Sequence, residues 1–538
     1  MNHIKMCIAN VIRRKYKNIV LIAIFCVLIS YNIFINTRSN KVIDNGKTRS
    51  GKVNSKINLE YVTVHLDLKG SPPKMDYLLS LLHTLQYYGA NSILLEYEDM
   101  FPFEGSIVNL SAVYHYTKHE LIQFIKRAKN LEMEIIPLVQ TFGHMEYALK
   151  LKEFAHLREN RRQPGSICPS NNMSIELITN MLTQVIKLHT PIMPLRHIHI
   201  GCDEVYYLNQ CSLCKKRVLD KNTLFMDHVQ KVTAIVRKLS PGTKVLIWPD
   251  MILKNKKSKK HISFDNIEAV WWDYRQNLRW LSHTVAYNLH HQFADIWVAS
   301  AFKGADGKKA VIPNIKNRYL NNLGWLKFIY NYKFGGENKV YDFKGIILTG
   351  WSRYSHMSVQ CELLPVAMPS LLLNLMLIRT LRGGIEDDFH KIDSCKFFDK
   401  YLKSDFEDIF QTLPSHDQKD HQCSFEKTKL YKEFHKVFDF NPIDTCLEKL
   451  RTSCQLLSSS EPKGLHDLQV TCFLYCNSTL KGAKTMSTRL ESFMKKYYRT
   501  GVINSYINER IRTPQAEIEH LLTRLNSKHN KLYWTRRH

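Results

Sequence analysis

The chain has 538 residues, 44% of them hydrophobic, which is enough for one large domain with a sizeable buried core and further extensions. Its 76 Lys and Arg residues outnumber 49 Asp and Glu residues and give a formal net charge of +27. The basic residues are spread along the chain, without zinc-finger spacing or an RNA-binding aromatic signature, so a function on nucleic acid is not indicated.

The sequence near the start of the chain has the pattern of a membrane anchor. An almost wholly apolar run covers residues 19–35 and follows a basic cluster: Lys5, Arg13, Arg14, Lys15 and Lys17. We expect a cytosolic tail at 1–18, a transmembrane signal anchor at 19–35 and a polar, flexible stem at 36–58. A cleaved signal peptide and a buried core helix are the alternatives, but no small-x-small cleavage pattern follows the run. The pattern therefore predicts a single-pass type II membrane protein with its catalytic part lumenal or extracellular, and the short span suits the Golgi or another early secretory membrane.

The cysteines and glycosylation sequons are compatible with that location. Sequons occur at Asn109, Asn172 and Asn477, and a group of cysteines near the end of the chain predicts disulfides: Cys423, Cys446, Cys454, Cys472 and Cys476. Cys211 and Cys214 have the spacing of either a close disulfide or half of a zinc site. No matching second pair follows, so we predict no metal site and no cofactor.

Short β-like runs alternate with helix-length amphipathic segments over residues 59–384. The strands are predicted at 62–66, 92–96, 134–139, 197–201, 244–248, 269–273, 296–300 and 345–349. The helices are predicted at 77–88, 118–131, 175–189, 224–239, 278–290, 315–330 and 362–381. This alternation predicts an α/β fold, a (β/α)8 TIM barrel with right-handed crossovers, whose site lies at the carboxyl ends of the strands.

Unusual polar and aromatic residues follow the predicted strands. They are Asp67 and Lys69, Glu98 and Asp99, His144, Asp203 and Glu204, Trp248 and Asp250, Trp272 and Tyr274, Phe302 and Lys303, and Trp351 and Arg353. Each has an ordinary structural explanation when taken alone, such as packing for a Trp or turn capping for an Asp. Their common position predicts one shared cavity.

Two adjacent carboxylic acids, Asp203 and Glu204, follow the fourth predicted strand, in the segment Arg196-His-Ile-His-Ile-Gly-Cys-Asp-Glu-Val-Tyr-Tyr207. Acidic side chains are also common in the first turn of a helix. The alternative is therefore that Asp203 and Glu204 only mark the start of a helix and have no role in chemistry. Where a strand gives way to a loop, however, two successive side chains can face one pocket. Two carboxyls in one pocket do not ionise equally, so one can stay protonated as an acid while the other stays anionic.

The segment His199-Ile-Gly-Cys-Asp-Glu204 resembles the signature His-x-Gly-Gly-Asp-Glu of the family 20 glycoside hydrolases, with Cys202 in place of the second Gly. The resemblance covers roughly residues 60–385 and is strongest to the hexosaminidase D branch. Further matching strings are His65-Leu-Asp-Leu-Lys-Gly70, Glu96-Tyr-Glu-Asp-Met-Phe-Pro102, Pro137-Leu-Val-Gln-Thr-Phe-Gly-His144, Trp272-Asp-Tyr274, Ala299-Ser-Ala-Phe-Lys-Gly304 and Leu348-Thr-Gly-Trp351.

The resemblance implies an exo-acting, retaining β-N-acetylhexosaminidase whose substrate supplies its own nucleophile, the acetamido oxygen. Glu204 then protonates the leaving oxygen and activates water, while Asp203 holds the acetamido group. Tyr274 is implied to hydrogen-bond the amide oxygen, and His144 to orient the acids or contact a hydroxyl. Sugar-facing walls are expected from Trp248, Trp272 and Trp351, and a further substrate contact from Asp67.

Two positions depart from better-known members of the family. Lys69 replaces an Arg that binds sugar hydroxyls, and Arg353 stands where a Glu follows the Trp by two residues. The choice between N-acetylglucosamine and N-acetylgalactosamine therefore stays open, although the hexosaminidase D resemblance suggests galactosaminides.

Residues 385–538 are expected to form a helical appendage, with helical spacing at 397–410, 430–438 and 485–498, that packs on the barrel or assists homodimer formation. Two other functions remain as alternatives. A chitinase-like endo-hydrolase usually carries Asp-x-Asp-x-Glu at a strand end, which is absent here. A carbohydrate-binding barrel without turnover is not favoured, since Asp203, Glu204 and Tyr274 are all present.

Overall fold

The computed structural model describes residues 57–253, 264, 266–279, 281–334, 342–383, 435–456 and 465–529. The predicted tail and anchor and almost all of the stem, residues 1–56, lie outside these ranges. The predicted helix at 397–410 and Cys423 also lie outside them, as does most of the segment predicted as a helix at 430–438.

The strands close into a barrel. They are β1 Tyr61–Asp67, β2 Ser92–Glu96, β3 Glu134–Leu138, β4 Arg158–Asn160, β5 Gln163–Ile167, β6 His197–His199, β7 Lys244–Ile247, β8 Ile267–Trp272, β9 Ile296–Lys303 and β10 Gly345–Gly350. All but β4 and β5 form one closed parallel sheet in the order β1-β10-β9-β8-β7-β6-β3-β2. This topology confirms the predicted TIM barrel, and every predicted strand is present.

The barrel strands form because their sequences are apolar and buried on both faces, as parallel strands covered by helices must be. β1 is buried at all seven of its residues. One apolar cluster fills the barrel interior and includes Leu94, Ile136, Leu246 and Trp297. A second, larger cluster joins the outer faces of the strands to the surrounding helices.

The strand before the acidic pair is shorter than predicted. β6 ends at His199 rather than residue 201, because Gly201 and Cys202 adopt left-handed backbone angles, with φ of 70° and 75°. The antiparallel hairpin β4–β5, between β3 and β6, was not predicted at all. Its strands are too short and too polar to give a period-two pattern.

The helices around the barrel are α1 Met75–Tyr87, α2 Lys118–Asn130, α3 Glu146–Leu149, α4 Asn172–His189, α5 Ser212–Lys216, α6 Lys221–Leu239, α7 Asp250–Leu253, α8 His283–Gln292, α9 Ile315–Phe334 and α10 Leu364–Gly383. All seven predicted helices are present. The predicted start of α8 at residue 278 is wrong, because the Asn277 side chain accepts a hydrogen bond from the Arg279 backbone N–H and makes a turn there.

The helix α10 is long and apolar enough to cross a membrane by composition, with its apolar stretch at Leu364–Arg382, and is the only such helix in the described ranges. Within that stretch, 83% of the most apolar window is buried inside the protein. It contacts β9, β10 and α9, so its composition is accounted for by packing in the barrel wall.

A helical unit follows the barrel in the part of the chain after residue 434 that the structure describes. It consists of α11 Asn441–Leu456, α12 Leu465–Met494, α13 Thr500–Ile507, a π-helical turn at Asn508–Arg512 and α14 Thr513–His529. A disulfide between Cys446 and Cys476 joins α11 to α12. The unit has its own apolar core, which extends onto Leu363 and Val366 of the barrel.

This helical unit packs directly against the barrel. The backbone N–H of Lys74 donates to the Tyr497 carbonyl at 2.7 Å, and the Leu364 N–H donates to the Tyr498 hydroxyl at 3.2 Å. Tyr498 is buried to 1% exposure. The barrel and the helices after it therefore share one interface.

Candidate active site

A cavity of about 230 Å³ opens at the carboxyl ends of the barrel strands. Its lining residues are Lys69, His144, Asp203, Glu204, Trp248, Trp272, Tyr274, Gly304, Ala305, Trp351, Arg353 and Tyr354. Every predicted site residue except Asp67 is among them. The cavity brings together nine of the fifteen strand-end residues, whereas Asp67, Glu98, Asp99, Asp250, Phe302 and Lys303 are not part of its lining.

Asp203 and Glu204 both turn toward His144. The His144 Nε2 atom lies 3.4 Å from Asp203 Oδ2 and 3.4 Å from Glu204 Oε2. In a continuing strand, consecutive side chains would point to opposite faces. Here the left-handed backbone at Gly201, Cys202 and Glu204, whose φ is 49°, breaks that alternation. The acids consequently face one imidazole.

Two glycines make the close approach of these segments feasible. A Cβ on Gly143 would lie 2.1 Å from the Asp203 backbone oxygen, and a Cβ on Gly201 would lie 1.9 Å from Gln140 Oε1. A side chain at position 143 would have to push the segment after β3 away from the backbone of Asp203, and one at position 201 would have to displace the Gln140 side chain. The absence of side chains at Gly143 and Gly201 thus sets the distance from His144 to the acids.

The charges of the acids act on His144. Burial alone would lower the pKa of its imidazole, but the negative charge of Asp203 and hydrogen bonds to Asp203 and Glu204 outweigh burial and raise the pKa well above its usual value. The acids therefore favour the protonated, cationic form of His144. It draws the two carboxyl groups together and lowers the repulsion between them.

The two acids have different surroundings. The Asp203 side chain is 9% exposed and the Glu204 side chain 33%. Asp203 Oδ1 is buried and accepts no hydrogen bond within the described part of the chain. Glu204 Oε1 accepts a hydrogen bond from the Tyr206 hydroxyl at 2.5 Å. Asp203 therefore offers a fixed acceptor deep in the cavity, and Glu204 offers a carboxyl group near solvent.

Aromatic side chains form the walls. The rings of Trp248 and Trp351 are 5.8 Å apart, and Trp272 stacks on Tyr274 at 5.3 Å. Burial raises the pKa of Tyr274 far above its usual value, and the nearby acids add to the effect. Its hydroxyl therefore stays protonated and can donate a hydrogen bond. Indole faces suit the C–H-rich face of a pyranose or an acetamido methyl group.

Asp67 does not line the cavity. Its carboxylate accepts backbone hydrogen bonds from Ser352 at 2.7 Å and from Lys69 at 2.9 Å, and it is 6% exposed. These donors tie the end of β1 to the segment after β10. The placement gives no support to the predicted substrate contact and instead makes Asp67 a support for Trp351 and Lys69.

Comparison with known proteins agrees with this geometry. Residues 86–287 match the family model described as glycosyl hydrolase family 20, catalytic domain. The chain is 40% identical over 317 residues to hexosaminidase D of Bos taurus, covering 57% of this chain and 89% of that protein. The chain belongs to glycosyl hydrolase family 20.

Two further similarities were found. Hexosaminidase D of Homo sapiens is 39% identical over 333 residues, which are 60% of this chain and 66% of that protein. The crystal structure of a β-N-acetylhexosaminidase from Bacteroides fragilis is 14% identical, covers 68% of this chain and 75% of its own, and gives a TM-score of 0.48. The family and its hexosaminidase D relatives support β-N-acetylhexosaminidase activity and confirm the predicted branch.

The positions that depart from the usual family 20 pattern form a charged side of the cavity. Lys69 Nζ lies 3.2 Å from Glu98 Oε1. Burial would lower the pKa of Lys69, but Asp67, Glu98 and Glu96 hold it well above its usual value. Burial raises the pKa of Glu98 to about 7 in spite of Lys69. Lys69 is thus a permanent buried cation beside the cavity.

Arg353 is held by the helical unit. Its guanidinium donates to both carboxylate oxygens of Glu509, at 2.9 and 3.1 Å, and to the Ser358 carbonyl. Glu509 lies in the π-helical turn, a feature often found at functional sites. Residues beyond the barrel therefore help to fix one wall of the cavity.

Several residues of the site were missed by sequence reasoning. Tyr206, Tyr354 and Ala305 were not singled out, and neither was Glu509 as the partner of Arg353. Tyr206 follows Glu204 by two residues, so its proximity was a usable local signal. The contact between Glu509 and Arg353 had none, because 156 residues separate them.

Proposed function

We propose that this family 20 protein removes terminal, non-reducing β-linked N-acetylhexosamine from glycoconjugates by a retaining mechanism in which the substrate's acetamido oxygen is the nucleophile. The observation that carries the proposal is the shared placement of Asp203 and Glu204, each 3.4 Å from His144 Nε2 at an aromatic-lined cavity. No nucleophilic side chain is needed, because the substrate provides one.

The proposed reaction begins with the sugar in the cavity. Asp203 Oδ1 accepts a hydrogen bond from the acetamido N–H, and the Tyr274 hydroxyl donates to the acetamido oxygen. That oxygen attacks the anomeric carbon as Glu204 protonates the leaving oxygen. The glycosidic bond breaks and an oxazolinium ion forms, whose positive charge Asp203 stabilises.

The second half of the reaction uses the same groups. Glu204, now a carboxylate, removes a proton from water, and the resulting hydroxide attacks the anomeric carbon. The bond to the acetamido oxygen breaks, which restores the amide and releases the sugar with its original β configuration. Two inversions at one carbon give net retention.

The test uses nitrophenyl N-acetyl-β-galactosaminide and its gluco counterpart with wild type, Glu204→Gln and the exposed control Glu176→Gln. We expect Glu204→Gln to lower kcat/KM about a hundredfold or more, since a general acid is removed. The loss should be much smaller with a dinitrophenyl leaving group, which departs without protonation. Equal rates in wild type and Glu204→Gln would remove Glu204 from the mechanism.

The same assay addresses the sugar. We propose that galactosaminides are preferred, on the basis of the hexosaminidase D relationship. The two sugars differ at the 4-hydroxyl, so the ratio of their kcat/KM values measures that preference directly. A lower kcat/KM for the galactosaminide than for the glucosaminide would overturn the proposed preference. Absence of turnover on both substrates by the wild type would instead indicate a carbohydrate-binding barrel.

We also propose that the protein is a single-pass type II membrane protein with its barrel in the secretory pathway. The apolar run at 19–35 after a basic cluster supports this location. Further support comes from the Cys446–Cys476 disulfide and from the exposed sequon residues Asn109 and Asn172. An increase in the electrophoretic mobility of the expressed protein after enzymatic removal of N-glycans would agree with this location. Recovery of the protein in the cytosolic fraction would contradict it.

A further inference from the structure

Three cysteines and one glutamate that do not line the cavity converge with one another. They are Glu159, Cys168, Cys211 and Cys214, and one ligand atom from each lies within 4.8 Å of all the others. Glu159, Cys168 and Cys214 are at most 2% exposed. From the sequence, Cys211 and Cys214 lacked a second pair of ligands.

The spacing of the ligand atoms suits a tetrahedral ion. Cys168 Sγ is 3.2 Å from Cys211 Sγ and 3.8 Å from Cys214 Sγ, and Cys214 Sγ is 3.2 Å from Glu159 Oε2. Zinc bonds of about 2.3 Å to sulfur and about 2.0 Å to oxygen place tetrahedral ligand atoms roughly 3.5 to 3.8 Å apart. Small shifts would therefore complete the site.

The buried glutamate is the second observation that points to a cation. Glu159 Oε1 accepts backbone hydrogen bonds from Gln210 at 2.6 Å and Cys211 at 3.0 Å. Its other oxygen, Oε2, is directed at the sulfur of Cys214. Among the residues that the structure describes, no Lys, Arg or His forms an ion pair with Glu159. Two backbone N–H groups stabilise Oε1, but a buried carboxylate is usually also paired with a cation or bound to a metal, and Oε2 faces only a sulfur.

We propose that Glu159, Cys168, Cys211 and Cys214 form a structural zinc site. Three thiolates and one carboxylate are a soft, four-ligand donor set that favours Zn²⁺ over Mg²⁺ or Ca²⁺. The Cys214 backbone N–H also donates to Cys211 Sγ at 3.3 Å, which stabilises negative charge on that sulfur. All four positions are occupied by protein atoms, so the ion does not take part in catalysis.

The site would clamp the two segments that build the active site. Glu159 is on β4 and Cys168 directly follows β5, so two ligands belong to the hairpin. The hairpin is in turn bonded to the backbone around His144: Gly165 O accepts from Met145 N at 3.1 Å, and Ile167 N donates to Phe142 O at 3.1 Å.

The other two ligands belong to the segment after the acids. Cys211 and Cys214 lie at the start of α5, seven and ten residues after Glu204. A bound ion would thus connect the support of His144 to the segment that carries Asp203, Glu204 and Tyr206. We expect that loss of the metal would make the distances between His144 and the two acids more variable.

A disulfide between Cys168 and Cys211 is the competing arrangement, because their sulfurs are 3.2 Å apart. It would leave Cys214 and Glu159 buried without a cation. Metal content and thiol count separate the two arrangements and need no activity measurement, so their outcome is independent of the proposed hydrolase function.

The first experiment measures zinc by elemental mass spectrometry in the full chain, purified without added metal or chelator. We expect about one zinc per chain, and Co²⁺ exchange should give the intense thiolate charge-transfer absorption of a tetrahedral cysteine site. Zinc-free protein that contains a Cys168–Cys211 disulfide in peptide mapping would overturn the proposal.

The second experiment compares Cys214→Ser and Glu159→Gln with a matched control, Cys361→Ser, a buried free cysteine of the barrel outside this cluster. We expect zinc retention after dialysis against a weak chelator to fall about tenfold in Cys214→Ser, less in Glu159→Gln, and not in the control. Chelation should lower the Tm of wild type and control only. If Cys214→Ser does not fold, the metal content and the cobalt spectrum of the wild type still distinguish the zinc site from the disulfide.

Discussion

His144 is the residue on which the geometry of the acids depends. Its Nε2 atom is 3.4 Å from each of Asp203 and Glu204, and the acids raise its pKa and favour its protonated form. The same interaction links catalysis to stability, because the imidazole is protonated more readily in the folded protein than in the unfolded chain.

Replacement of His144 by Gln should shift the pH profile. The substitution removes a titrating group that lies 3.4 Å from each acid, so the pH profile of kcat/KM should differ in shape or position from that of the wild type. We expect kcat at the optimum to fall about tenfold or more. Profiles that superimpose would show that His144 carries no charge in the active enzyme.

The stability of the wild type should also depend on this group. A folded-state pKa raised above the unfolded value of about 6.5 contributes stability that is fully present below that value. This contribution is lost as the pH rises from about 6.5 through the pKa of His144 in the folded state. The free energy of unfolding of wild type minus that of His144→Gln should therefore decrease over this pH range, and a difference that grows with pH would contradict the assignment.

Tyr274 offers a second test at the scale of a single residue. Tyr274→Phe keeps the ring that stacks on Trp272 and removes only the hydroxyl. We expect kcat to fall about a hundredfold while KM changes little, because the lost hydrogen bond acts mainly on the reacting amide. Tyr87→Phe, at an exposed tyrosine, is the control. An unchanged kcat would exclude Tyr274 from orienting the acetamido group.

At the scale of elements, the segments that follow β3 and β6 act together. Gly143 makes contact between them feasible, since a Cβ there would meet the Asp203 backbone oxygen at 2.1 Å. Neither segment is regular structure, and the left-handed residues 201, 202 and 204 occupy the turn. The acids are thus positioned by backbone geometry as much as by side chains.

Gly143→Ala should therefore displace Asp203 relative to His144. We expect a loss of kcat of about tenfold or more together with a destabilisation of about 1–3 kcal/mol, as for other overpacked sites. Gly482→Ala is the matched control, because nothing lies within 4 Å of its added Cβ on α12. Full activity in Gly143→Ala would show that the segments can separate without cost.

The π-helical turn of the helical unit gives the next prediction. Glu509→Gln removes the charge that holds Arg353, so the guanidinium should lose its fixed orientation at the cavity wall. We expect KM to rise about tenfold, with a smaller change in kcat. Glu517→Gln breaks an exposed pair with Arg451 and should leave KM unchanged. Equal KM values for the two variants would show that the contact between Glu509 and Arg353 does not contribute to substrate binding.

At the scale of the whole molecule, residues 55–538 form a single compact unit. The barrel, the cavity and the helical unit all belong to it. The described residues that line the cavity lie between Lys69 and Tyr354, whereas the proposed anchor is at residues 19–35 of the sequence. Catalysis and membrane attachment should accordingly be separable.

Expression of residues 55–538 behind a cleavable secretion signal tests this separation. We expect a secreted protein with the kcat/KM of the detergent-extracted full chain, within about twofold. The full chain should stay in the membrane fraction after a carbonate wash, because an apolar helix and not charge retains it. Release of the full chain by carbonate would contradict the anchor.

The sequence by itself determined the barrel and the position of its chemistry. Strand and helix periods are local properties, so all eight barrel strands and the seven longer helices around them were predicted in order, whereas the short helices α3, α5 and α7 were not. The carboxyl ends of parallel strands must meet at one edge, which grouped Asp203, Glu204, Trp248, Tyr274 and Trp351 before any coordinates were known.

Only the tertiary structure decided which side chains touch. Asp67 lies at the carboxyl end of β1, as its last residue, but its carboxylate accepts hydrogen bonds from the backbone N–H groups of Ser352 and Lys69. The contact of Glu509 with Arg353 and the convergence of Glu159 and Cys168 on Cys211 and Cys214 join segments that are distant in sequence. Such contacts depend on the path of the whole chain, and no local periodicity encodes that path.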